Sequence, residues 1–162
     1  MTDELDGAAD LDVDVVDHLL TTTRSVRTRL DLDRPVPRQV LLDCIAIAEQ
    51  APVGSNQVSR WRWVVVDDPG LKEQVAEVYR AAWGPYADRF DPDRLDDRAR
   101  RTMAAAAHVA DHLHEVPALV IPCVRRHRST PDPATPMPHP AATSVYGSVY
   151  PSIWSFCLAL RA

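Results

Sequence analysis

Two runs in this chain concentrate β-branched and aromatic residues as buried strands do: WRWVVV at 61–66 and ALVIPCV from Ala118. Such side chains pack well on a pleated surface and lose freedom in a helix, so these runs restrict the fold more than any other feature. The first has no alternation of polar and apolar residues over its last four positions, and is expected to be largely buried. The second contains Pro122, which cannot donate to a ladder and so belongs at a sheet edge or a strand end.

The other periodic segments are helical. Leu11, Val15, Val16, Leu19 and Leu20 recur at helix spacing, so a short helix runs into the stretch TTTRSVR. Asp31 to Pro37 reads as a loop, with Pro37 placed to open the next helix. Leu41, Cys44, Ile45, Ala48 and Ala51 then make one apolar stripe that Pro52 ends. After the first strand, Asp67 to Gly70 is a turn, and 71–82 has helical spacing at Leu71, Val75 and Val78. The charged stretch from Trp83 is expected to be irregular, followed by a helix over 97–115. Residues 129–140, STPDPATPMPHP, carry five prolines and are expected to form an extended loop. In the last segment Val149, Ile153, Phe156 and Leu160 share a helical face.

Composition removes several function classes. With 23 acidic against 18 basic residues and a formal charge of -5, the chain lacks the basic excess of a nucleic-acid or anionic-membrane surface. No apolar run approaches the ~20 residues of a membrane span. The acidic start MTDELDGAADLDVDVVD does not read as a secretory signal, so a cytoplasmic location is expected. Residues 1–10 are expected to be a flexible acidic lead, and 11–162 a single domain. Cys44, Cys123 and Cys157 lie far apart in apolar surroundings and are expected to be buried, reduced thiols. The patterns G-x-S-x-G, G-x-G-x-x-G and the P-loop are absent.

Four stretches carry residue types capable of chemistry. In TTTRSVRTR, Arg24, Ser25 and Arg27 could converge on a phosphate with charge-assisted donors and a hydroxyl. Alone, the stretch reads more simply as an exposed basic helix end pairing with Asp31 and Asp33. In AEQAPVGSNQVSRW, a broken helix, Gly54 and Asn56 have the layout of a ligand-lining loop, although a plain connector has the same pattern. His108, Asp111, His112 and Glu115 share a helix face at metal-like spacing, but with no second ligand cluster they read as a solvated face and no metal is expected. The alternating charges of DRFDPDRLDDRARR read as solvated surface.

Taken in order, TTTRSVR, PVP before a helix ending AP-x-GSN, WRWVVVD and YGSVYPSIWSFCLALRA resemble the nitroreductase family of FMN-dependent oxidoreductases, in particular an actinobacterial branch. The likeness runs from about Val15 to the last residue. It implies an α+β fold with a central, mostly antiparallel sheet flanked by helices, and a homodimer with FMN at the subunit interface. It assigns the flavin phosphate to Arg24, Ser25 and Arg27. The loop carrying Pro52, Gly54, Ser55 and Asn56 would reach the flavin, typically that of the partner subunit, and Ser148, before the final helix, would join the pocket. Val53 stands where a small hydroxyl residue is frequent, and the loop to Trp61 is one residue longer than usual. Family members continue with a glycine-rich helix end, a further strand and a C-terminal arm, so the chain is expected to be an incomplete N-terminal portion of such a domain.

The resemblance also implies the activity: hydride passes from NAD(P)H through the flavin to an electron-poor acceptor such as a nitroaromatic or quinone, with no side-chain acid or base required. Trp61 and Trp63 are expected to pack the sheet. The alternatives are dehalogenation or enone reduction on the same fold, and a truncated flavin-binding or interaction protein without turnover.

Overall fold

The computed structural model describes residues 11–52, 61–124 and 139–162. Its elements run α1 (Val13–Thr22), α2 (Arg38–Ala48), β1 (Trp61–Val66), α3 (Pro69–Ala87), a short 3-10 turn at Pro92–Arg94, α4 (Asp97–His112), β2 (Leu119–Val124) and α5 (His139–Arg161). This is the expected α+β class, with five helices and a two-stranded sheet among the described residues.

Helices α1, α3 and α4 begin where a short acidic side chain satisfies free backbone N–H groups, whereas α2 opens after Pro37 with no side-chain cap. The Asp12 carboxylate accepts from the amides of Asp14 and Val15, Asp68 from Leu71 at 2.8 Å, and Asp96 from Ala99 at 2.7 Å. Pro69 then fills the first position of α3, where no N–H is needed.

Strands β1 and β2 pair antiparallel, from Trp61 opposite Val124 to Val66 opposite Leu119. Pro122 faces Trp63 in this register, and a two-stranded ribbon gives it the edge position it requires. The expectation of a largely buried β1 is corrected: Val66 is buried and Val65 half-buried, while Val64 is 44% exposed. Among the described residues β1 is covered on one face only.

That covered face lies on the core. Leu41, Cys44, Ile45 and Ala48 of α2 pack with Phe156 of α5, and Trp63, Val65 and Val120 close over them from the sheet. The Trp63 and Phe156 rings meet at 5.4 Å, within the range that stabilises aromatic pairs. Helix α2 buries the stripe read from its sequence, although it ends at Ala48 rather than running to Pro52.

Helices α3 and α4 form an antiparallel pair, because the start of α3 meets the chain just beyond the end of α4. The buried Lys72 ammonium donates to the Val116 carbonyl at 2.7 Å, and His114 lies 3.9 Å from Glu73. The face of α3 is corrected: Lys72 and Ala76 are buried, whereas Leu71 is 51% and Val78 72% exposed. The aliphatic stem of Lys72 supplies the apolar contact while its ammonium finds a carbonyl. Helix α3 also continues through Gly84 and Pro85 into the stretch expected to be irregular. Ring contacts Trp83–Tyr86 and Tyr86–Phe90, at 5.6 and 5.2 Å, hold that extension. Helix α4 stops at His112, short of the expected Glu115.

Helix α5 starts at His139, within the expected proline loop, with Pro140 in its first turn, where proline is tolerated. Its buried positions are Ser148, Ser152 and Phe156, one residue off the Val149–Ile153 row read from hydrophobicity. Small hydroxyl residues occupy that row because they let α5 approach α2 closely: the Ser152 hydroxyl donates to the Ala48 carbonyl at 2.8 Å.

Candidate functional site

Helix α1 ends in three threonines. Their hydroxyls donate back to the carbonyls of Asp17, His18 and Leu19, four residues earlier, a habit of Thr in helices. Each hydroxyl hydrogen is thus used and each oxygen is left to accept. The Arg161 guanidinium, in the last turn of α5, donates to Thr23 Oγ1 at 2.7 Å and to Thr22 Oγ1 at 2.5 Å. Thr23 is buried, and its carbonyl accepts from Arg24 Nη1 at 2.7 Å.

Arg24, Ser25 and Arg27 follow as exposed residues in irregular backbone. Among the described residues no carboxylate pairs with Arg24, Arg27 or Arg161. Asp31 pairs with Arg34 at 3.3 Å rather than with an arginine of this stretch, which is exposed as a basic helix end would be. Arg24 and Arg161 thus meet at the end of α1 through Thr23, and Arg27 follows three residues on, with no paired carboxylate on any of the three among the described residues. Chemically this is a donor set for a multiply charged oxyanion.

The second expected group is only partly described. Pro52 is exposed beyond the end of α2; Gly54, Ser55 and Asn56, with Val53, lie outside the described residues. Ser148 is buried and lies inside α5, not before it. It sits one turn before Ser152, in the middle stretch of α5 that meets Ala48. Arg161 lies thirteen residues further along, about 20 Å at 1.5 Å per residue. The structure thus brings Arg24 and Arg161 to the C-terminal end of α5 and leaves Ser148 near its middle.

No group of three potential ligands able to hold a metal occurs among the described residues. The His108 carbonyl accepts from His112 Nδ1 at 2.8 Å, and the two rings lie 4.0 Å apart. All three cysteines are free, but only Cys44 is buried; Cys157 is exposed, against expectation, because it lies off the row α5 turns to α2. Burial holds the Cys44 thiol above its ordinary pKa, with the neighbouring Asp43 charge adding to it, and partial desolvation by its neighbours raises the surface Cys157. Neither is an activated nucleophile. No helix among the described residues is long and apolar enough to cross a membrane.

Sequence reasoning missed Arg161 and the two threonines it holds. The threonine run at a helix end was a visible signal. Arg161 gave none, because its partners lie 138 and 139 residues away.

Comparison with known proteins settles the family. The model of the nitroreductase family matches residues 20–162. The chain belongs to the nitroreductase family. A comparison with curated proteins found no match. Among solved structures, the chain is similar to an oxidised iodotyrosine deiodinase bound to FMN and 3-iodo-L-tyrosine, with a TM-score of 0.59 and 22% identity over 87% of this chain and 66% of that one. It is similar also to a nitroreductase-like protein from Bacillus cereus (TM-score 0.54, 16% identity, 90% of this chain and 64% of that one). A third is a BluB-like flavoprotein from Clostridium difficile 630 (TM-score 0.57, 20% identity, 89% and 68%). At these identities the likeness establishes the fold, and the chain spans about two thirds of the length of each structure.

Proposed function

We propose that this member of the nitroreductase family is an FMN-dependent oxidoreductase that uses NAD(P)H to reduce an electron-poor acceptor such as a nitroaromatic or quinone. The observation that carries the reading is the hydrogen-bonded run from Arg161 through Thr23 to Arg24, with Ser25 and Arg27 exposed directly after it and no carboxylate paired with these arginines among the described residues, in a chain with net charge -5. Guanidinium forks and a hydroxyl are the donors a phosphate monoester takes, so the residues present fit the phosphate end of FMN. Bound there, the flavin supplies hydride transfer.

The chain's own residues bind and orient. Arg24 and Arg27 neutralise the phosphate, and Ser25 donates a hydrogen bond to it. The loop of Pro52, Gly54, Ser55 and Asn56, with Ser148, forms the ring end of the pocket. Because Ser148 and Arg161 sit about 20 Å apart along α5, the two groups are assigned to different sites of a homodimer, the loop of one subunit meeting the arginines of the other. This arrangement is the one that the family resemblance implies for FMN. One neighbour is a deiodinase bound to FMN and 3-iodo-L-tyrosine, which favours reductive dehalogenation as the second reading.

Titration of the chain with FMN and with riboflavin tests the proposal. FMN is expected to bind at least roughly tenfold tighter, as loss of charge-assisted bonds to a phosphate costs 1.4 kcal/mol or more. Arg24→Ala and Arg27→Ala are each expected to remove most of that difference, with Tm unchanged because both side chains are exposed. NAD(P)H should bleach the bound flavin, and a nitroaromatic or quinone should restore its colour faster than 3-iodotyrosine does. A chain that ignores FMN, or variants that keep the full FMN preference, would overturn the assignment.

A further inference from the structure

The chain from α5 to the arginine stretch is continuous in hydrogen bonds. Arg161 donates to the hydroxyls of Thr22 and Thr23, and the Thr23 carbonyl accepts from Arg24. The hydroxyl hydrogens of both threonines are already committed to the carbonyls of His18 and Leu19. Their oxygens can therefore only accept, and Arg161 is the donor placed to use them. Thr23 is buried at 9% exposure, whereas Ser25 and both arginines that follow are exposed. It is the last anchored residue before the stretch that reaches solvent.

We propose that Arg161 is a positioning residue for the phosphate site: by clamping Thr22 and Thr23 it fixes the Thr23 carbonyl that holds the Arg24 guanidinium. The role rests on the assignment of FMN phosphate to Arg24 and Arg27. An arginine on a long flexible stem loses side-chain entropy on binding an anion, and a guanidinium already held at one nitrogen loses less. Arg161 has two nitrogens engaged by threonine oxygens and no carboxylate partner among the described residues, so it also leaves the local field positive. The planar fork matters, since two parallel N–H groups span two hydroxyls one residue apart, which a single ammonium does not.

The test compares FMN and riboflavin affinities for the unaltered chain, Arg161→Gln, Thr23→Val and the double variant. Positioning predicts that Arg161→Gln and Thr23→Val each lower FMN affinity roughly three- to tenfold, leave riboflavin affinity unchanged, and together lose no more than the worse single change. Thr23→Val keeps the shape of the buried side chain and leaves Arg161 in place, so it carries the same test should Arg161→Gln fail to fold. Equal losses for FMN and riboflavin would make Arg161 a structural clamp and overturn the role. Full retention of the FMN preference in both variants would overturn it too, while leaving the phosphate assignment intact. An unaltered chain that binds both flavins equally would overturn the assignment, and the role of Arg161 with it.

Discussion

At the residue scale, the polar side chains that matter here are the ones whose hydrogen-bonding capacity is divided. Thr22 and Thr23 donate within α1 and accept from α5, so each joins two helices without an unpaired group. Cys44 illustrates a titratable residue shaped by burial. Its thiol is held above the ordinary value by burial and then by Asp43, so on the alkaline side the unfolded chain releases this proton first. The stability tied to the protonated thiol is present below the unfolded pKa of about 8.5 and fades as pH climbs toward the folded value. Denaturant melts across pH 7.5–10 are expected to show stability falling over that range, with a smaller fall in Cys44→Ala. An identical slope in the variant would assign the loss to other groups.

At the element scale, α2 and α5 carry the core, and the sheet rests on them through Trp63, Val65 and Val120. Phe156 is the largest of the buried side chains in that contact. Phe156→Ala is expected to destabilise by about 3–5 kcal/mol, the usual cost of truncating a buried ring. Ser152→Ala should cost only about 1 kcal/mol, because the Ala48 carbonyl that accepts from Ser152 also accepts from the Ala51 amide. Urea titration of both variants checks the ordering, and a Ser152→Ala loss equal to that of Phe156→Ala would mean the hydroxyl does more than tie two helices. Helix α3 shows the opposite arrangement, a long helix that buries Lys72 and Ala76 and leaves Leu71 and Val78 outside.

At the scale of the whole molecule, the middle of α5 and its C-terminal end carry different parts of the proposed pocket. If the loop of one subunit completes the arginine site of the other, Arg24→Ala and Asn56→Ala chains should complement. Each alone is expected to lose FMN, and co-expressed mixtures should regain it in heterodimers, which contain one site with neither change. Absorbance of purified mixed dimers reads this directly. Mixtures as colourless as their parents would place the loop and the arginines of a site in one chain.

Much of this architecture was legible locally. The β1 boundaries and the α2 stripe follow from spacing and residue type, because strand preference and helical period act over a few residues. The tertiary structure decided which face each helix buries: α3 turned Lys72 inward and α5 turned Ser148 and Ser152 inward, since close approach of backbones and a carbonyl within reach outweighed side-chain hydrophobicity. It alone also placed Arg161 on Thr22 and Thr23, a contact that spacing within a single helix cannot encode because its two halves come from opposite ends of the chain.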